Sequence, residues 1–221
     1  MLLQRCIRNF RVAAALPALL ILGACAGSGP TQTVDNRAGT ASPAGATGGE
    51  QGDNLVPAAA LTLFEQAVSV MASGDLIDAE LRFKEFLLQY PGYPGAYVNL
   101  AIIHTNNGND AAASAAIDAA LQIEPSHPAA LNQLGMLLRR NGKFLEAEAA
   151  YLKAVTVSPD YALAHYNLGV LNELYLQRLD QALQHFEAYQ AIVGNDEQVE
   201  KWISDLTRRL AANQRTANVA E

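Results

Sequence analysis

Cysteine is what this chain most nearly lacks. There are two, Cys6 and Cys25, both ahead of residue 26, so nothing beyond that point can form a disulfide or a thiolate-ligated metal site. Basic residues are also scarce, with 15 Lys and Arg against 22 Asp and Glu and a net charge of −7. An acidic chain without a basic stripe argues against nucleic acid and against electrostatic adhesion to anionic lipid headgroups. No apolar run reaches the roughly 20 residues that a membrane-spanning helix needs. Catalytic signatures are missing too: no His-Glu-x-x-His, no Gly-rich phosphate loop after a strand, no nucleophile elbow around a serine. Of the four histidines, His104 and His165 fall on repeat positions, His127 precedes Pro128 and His185 stands beside Phe186. The acidic pair Glu146 and Glu148 lies on a face expected to be solvated. These absences predict a chain that is not an enzyme, takes no small-molecule substrate and holds no metal or dissociable cofactor.

What the N-terminus does contain is an export pattern. Arg5, Arg8 and Arg11 precede an apolar stretch of 11 residues, 12–22, followed by small residues, and that order describes a signal peptide over 1–24 to be set aside from the fold. The end of it, Leu22-Gly23-Ala24-Cys25, resembles the lipobox of bacterial lipoproteins. The resemblance implies that Cys25 carries a covalent diacylglycerol and that the α-amine freed by cleavage takes a further acyl chain such as palmitate. Several chains agree with the physics of anchoring, because one alone holds only marginally at about 0.8 kcal/mol per buried methylene. Ala26, where Asp tends to retain such proteins in the inner membrane, implies the outer membrane, periplasmic side. Cleavage would remove Cys6 and three arginines, so the 15 basic residues become 12 against 22 acidic and the charge becomes −10.

Residues 25–56 join that anchor to the rest. Between 26 and 54 the only large aliphatic residue is Val34, so the segment cannot bury enough apolar surface to offset the cost of ordering it. A disordered linker of this length reaches roughly 30 Å as a flexible coil.

From there the chain repeats itself, which has to be recognised before any helix is assigned. Gly74, Gly108 and Gly142, Pro91, Pro125 and Pro159, and Ala79, Ala113 and Ala147 all keep a period of 34. Each copy carries two apolar stripes of helical spacing around a glycine turn, such as Leu131, Leu134 and Leu138, then Ala147, Tyr151 and Ala154. Two antiparallel helices per copy follow. Ala67, Ala101, Gly135 and Gly169 are the small residues that let paired helices approach, and Phe83, Ile117, Tyr151 and Phe186 are the bulky ones that fill the space. Pro94 and Pro128 suit first turns of helices. In the fourth copy Ala182 and Phe186 arrive one residue late, which predicts a one-residue insertion between 175 and 180.

This pattern resembles the tetratricopeptide repeat (TPR) family. The third copy carries it best, in Leu131, Leu134, Gly135, Leu138, Gly142, Ala147, Tyr151, Ala154 and Pro159. The resemblance implies an all-α, right-handed superhelical solenoid of four helix-turn-helix hairpins over 57–194, at about 60–93, 94–127, 128–161 and 162–195. A capping helix is expected over 195–211, with Val199, Trp202, Ile203, Leu206 and Leu210 in one stripe, and a mobile tail over 212–221.

In that family the first helices line a concave groove. By register, the fifth positions are Phe64, Val98, Asn132 and Tyr166, and the ninth are Val68, Ile102, Met136 and Val170, so the expected groove is largely apolar. Branched aliphatics at the ninth position argue against the carboxylate clamp that some relatives use. Arg139, Arg140 and Lys143 beside Asn132 would add one basic patch. The implied function is that of a lipid-anchored periplasmic scaffold or adaptor that binds a protein or peptide partner of the cell envelope. Type IV pilus, peptidoglycan and TonB-type machineries are the candidates; pilotins of the first usually carry more hairpins than four. The alternative is a holdase-like accessory for exported proteins.

Overall fold

The computed structural model describes residues 57–220. The signal peptide, Cys25 and the linker lie outside the described residues. Within them the chain is all helix, without a strand: α1 (Ala58–Ala72), α2 (Leu76–Gln89), α3 (Pro94–Asn106), α4 (Asp110–Ile123), α5 (Pro128–Arg140), α6 (Phe144–Val157), α7 (Ala162–Leu174), α8 (Leu179–Val193) and α9 (Glu197–Ala220). Consecutive helices pack as the hairpins α1/α2, α3/α4, α5/α6 and α7/α8, and each second helix packs on the next first helix. First helices also touch one another, α3 with α5 and α5 with α7.

The boundaries follow from local chemistry. Pro94 and Pro128 open α3 and α5, where a missing N–H costs nothing. The second helices α2, α4 and α6 stop two residues short of Pro91, Pro125 and Pro159, as the constraint on the residue before proline requires. Asp75 and Asn109 cap α2 and α4 by accepting from the Asp78 and Ala112 amides, each filling one of the orphan donors at a helix start. His127 does the same for α5, its Nδ1 accepting from the Ala130 amide at 3.3 Å.

Three of the hairpin turns have three residues, with Gly74, Gly108 and Gly142 at φ between 73° and 90°. The fourth has four, 175–178, and there Gln177 takes the left-handed conformation at φ 57°. The expected insertion is therefore real, and a residue with a Cβ does in it what glycine does elsewhere.

The core is a chain of contacts between small and bulky residues. Phe83, Ile117, Tyr151 and Phe186 are all buried, as are Ala67, Ala101, Gly135 and Gly169 opposite them. The fit is tightest at the glycines. A Cβ on Gly135 would stand 2.4 Å from the Tyr151 ring, and one on Gly169 2.6 Å from the Phe186 ring.

The last helix departs from expectation in two ways. It continues to Ala220, so residues 212–220 are helical where a mobile tail was expected. The apolar stripe does end at Leu210, but the residues after it include neither Pro nor Gly, and Ala, Gln and Arg sustain a helix without packing. In addition α9 occupies the place of a fifth first helix. Counting the inserted residue, Val199 falls in register with Ala96, Ala130 and Ala164, and Leu206 with Ile103, Leu137 and Leu171; all of these are buried. The positions that would meet a second helix of its own are Glu200, Ser204 and Thr207, all exposed, so the array closes on a polar face as a terminal repeat must.

Candidate functional site

The two register rows expected to line a groove behave differently. At the fifth position the two central residues turn inward, whereas Phe64 and Tyr166 pack against aromatic neighbours and keep part of their surface open. Val98 and Asn132 retain 5 % and 1 % of their exposure. Phe64 packs its ring 5.0–5.8 Å from those of Tyr93, Phe86 and Phe83. Tyr166 is wedged among Phe186, Tyr189 and Trp202 at 5.4–6.1 Å. The ninth-position row, Val68, Ile102, Met136 and Val170, is half-buried: each rests on the core below and keeps part of its surface open. Leu61 and Leu163, at the second position of their copies, are more exposed still. The open apolar wall is thus the ninth row with Leu61, Leu163 and the partly open Phe64 and Tyr166, and Val98 and Asn132 lie beneath it.

Neighbouring first helices are tied by rungs one repeat plus one residue apart. Asn167 Nδ2 donates to Asn132 Oδ1 at 2.9 Å, and Arg140 Nη1 donates to the Thr105 carbonyl at 2.9 Å, each over a separation of 35. Arg209 Nη1 meets Glu173 Oε1 at 2.8 Å over a separation of 36, the extra residue being the inserted one. These bonds give most of the basic patch expected on the third copy a partner within the protein. Asn132 is buried and committed to Asn167, its own amide lying 3.8 Å from Met136 Sδ. Arg140 also pairs with Asp110 at 3.4 Å, and Lys143 pairs with Glu146 at 3.7 Å. Only Arg139 of that set has no ion pair or hydrogen bond from its side chain among the described residues, and it is half-buried.

Arg139 stands near two phenols. Burial pushes the Tyr151 hydroxyl up to about 12, with the positive charge of Arg139 opposing the shift and Tyr175 adding to it. Tyr166 is raised by burial and by Asp196, again against Arg139. The Tyr151 oxygen is buried with no hydrogen-bond partner.

The remaining candidates have structural employment. Trp202 packs 5.3 Å from Phe186 and 5.9 Å from Tyr166, at the joint between α9 and the last hairpin. His165 and His185 share a contact between their Nδ1 atoms at 3.2 Å, and His165 Nε2 lies 3.0 Å from the Pro159 carbonyl. A carbonyl only accepts, so Nε2 of His165 carries its proton and His185 Nδ1–H donates across the pair. Among the described residues no three potential metal ligands converge, and no helix is long and apolar enough to cross a membrane.

Sequence reasoning passed over the outer face of α2, where Ile77 and Leu88 are each 85 % exposed and Leu81 lies between them. It also missed Asn167 and Asn172, buried polar residues on α7. The signal for Asn167 was present in the register, since position six of the second copy is also an asparagine, Asn99; Asn172 has no such counterpart, its register partners being Val70, His104 and Leu138.

Two family models described as tetratricopeptide repeat match the chain, one over residues 70–137 and the other over 132–197. No curated protein matches it significantly. Solved structures of similar fold include PilF of Pseudomonas aeruginosa, with a TM-score of 0.63 and 21 % identity over 70 % of this chain and 70 % of that one. MamA of Desulfovibrio magneticus RS-1 superposes with a TM-score of 0.55 at 18 % identity, over 72 % of this chain and 89 % of that one. The first TPR domain of Spaghetti (RPAP3), bound to an HSP90 peptide, gives 0.50 at 19 % identity, over 53 % and 95 %. At these identities the likeness is one of fold.

Proposed function

Because the chain belongs to the tetratricopeptide repeat family, whose fold it adopts over four hairpins, we propose that it is a non-catalytic scaffold that docks a protein or peptide partner on its inner wall. The observation that carries this reading is the half-open row Val68, Ile102, Met136 and Val170. A packed solenoid covers the flanks of each first helix with the second helices before and after it, yet this line remains uncovered, and contiguous apolar surface of that kind marks interaction sites. Segments with spaced apolar anchors, helical or extended, suit such a wall. RPAP3 supports the idea that the fold can hold a peptide.

We further propose that the scaffold hangs from the periplasmic side of the outer membrane by lipid on Cys25, serving an envelope assembly such as a type IV pilus, peptidoglycan or TonB-type machine. What supports this is the Leu22-Gly23-Ala24-Cys25 pattern and the polar residues that follow it. Two experiments test the two halves. A photo-crosslinking amino acid at Ile102 or Met136 should yield one dominant adduct in cells, while the same probe at exposed Asp118 on α4 should not. A broad smear from both would turn the reading to the holdase alternative. Separately, Cys25→Ser should release the protein from the membrane fraction without altering its helical content, and continued sedimentation with membranes would remove the anchor.

A further inference from the structure

Among the described residues the inner wall carries an arginine without an ion pair, Arg139, and its meaning rests on the groove reading above. Seven arginines fall within the described residues. Five are in ion pairs: Arg82 with Asp78, Arg140 with Asp110, Arg178 with Glu148, Arg208 with Asp205, and Arg209 with Glu173 and Asp205. Arg215 is exposed near the end of α9. Arg139 is different, because it is half-buried and has no ion pair among the described residues. A shortage of carboxylates does not explain this in a chain with 22 acidic residues against 15 basic ones. Withdrawing a guanidinium from water without a counter-charge is costly, so an arginine kept in that state lacks the partner that would offset the cost.

Its position says where that partner comes from. Arg139 follows Met136 by three residues on α5, so the two share a helix face, and Met136 belongs to the open apolar row. The rungs between first helices then decide the matter. Thr105 is met by Arg140, and Glu173 by Arg209. The equivalent rung from Arg139, 35 residues on, leads to Leu174, an aliphatic residue that is 60 % exposed and can answer no charge. One rung in the ladder is therefore open on its polar side, at the edge of the apolar wall.

We propose that Arg139 is the anion anchor of the groove, receiving the side-chain carboxylate of an Asp or Glu carried within an apolar segment of the partner. Guanidinium and carboxylate make paired, planar hydrogen bonds that fix direction as well as charge, so the anchor would set the register of a segment whose apolar residues lie along Met136 and Ile102. An arginine in this setting discriminates sharply, since a basic residue in the same place would add a second unpaired charge.

The test uses the full chain and a set of synthetic 12-residue peptides, amidated at the C-terminus, with Val, Leu and Phe at spaced positions and a single Asp, Asn or Lys moved along each. Binding is read by fluorescence polarisation. The anchor predicts that the best Asp peptide binds about tenfold tighter than its Asn counterpart, the scale of a charge-assisted hydrogen bond. That preference should fall to near one in Arg139→Gln, persist in Arg140→Gln and return in part in Arg139→Lys. An undiminished preference in Arg139→Gln would place the anchor elsewhere, and binding indifferent to charge in the native protein would overturn the proposal while leaving the groove intact. Preference only for peptides with a free terminal carboxylate would overturn it as well. No binding by any peptide, whatever its charge, would overturn the groove reading together with it.

Discussion

Of the glycines, Gly135 makes the closest approach, to the ring of Tyr151. The ring lies where a Cβ would go, at 2.4 Å, and it is itself wholly buried, so it cannot swing aside. Gly135→Ala should lower stability by about 2 kcal/mol, overpacking outweighing the gain in helix propensity, and urea unfolding will show it as a reduced midpoint at unchanged slope. Histidines give the molecule a pH dependence at the same scale. His127 is lowered by burial, opposed by Glu124, and must stay unprotonated at Nδ1 to cap α5. His185 is pushed down to about 4 by burial and by the neighbouring His165. Both native values lie below the unfolded value near 6.5, so the unfolded chain binds more protons and stability is full above pH 6.5 and declines as pH falls toward 4. With partial exposure discounted, the loss is of order 1–2 kcal/mol. Unfolding at pH 7.5 and pH 5 should display it, and His127→Gln with His185→Gln should flatten it.

Helices and turns were the most legible part of the chain, because both depend on neighbours close in sequence. The period of 34, the glycine turns and the prolines placed all the hairpins, and the late arrival of Ala182 and Phe186 located the fourth turn. Gln177 adopts there a backbone conformation that costs a residue with a Cβ about 1 kcal/mol. Gln177→Gly should therefore stabilise the protein by about 0.5–1 kcal/mol, less whatever the free chain gains in entropy, visible as a higher thermal midpoint. Element ends were less legible. The apolar stripe of α9 stops at Leu210, and hydrophobic periodicity has nothing to say about a helix that continues to Ala220 on propensity alone. Which row of the first helices stays open was hidden too. Fifth and ninth positions share a helix face, and only the approach of the next first helix buries Val98 and Asn132 while sparing Ile102 and Met136. Asn132 misled for a further reason: its partner, Asn167, lies 35 residues away.

At the scale of the molecule, the two ends of the array differ. The last repeat is finished by half of another, α9, whose outer side is polar, whereas the first hairpin shows Leu61, Leu63, Ile77, Leu81 and Leu88 to solvent. Between them runs the inner wall, and the account depends on that wall being a place where another chain lies down. A charge on it should block docking without disturbing the helices, since each of these side chains is only half-buried and reaches water. The most direct measurement is therefore partner capture through a photo-crosslinking residue at Val170, compared between the native protein and the double variant Ile102→Glu, Met136→Glu, taken with far-ultraviolet circular dichroism. Capture should be lost while the helical signal stays at the native level. Capture at the native level by a variant that is equally helical would contradict docking on that wall.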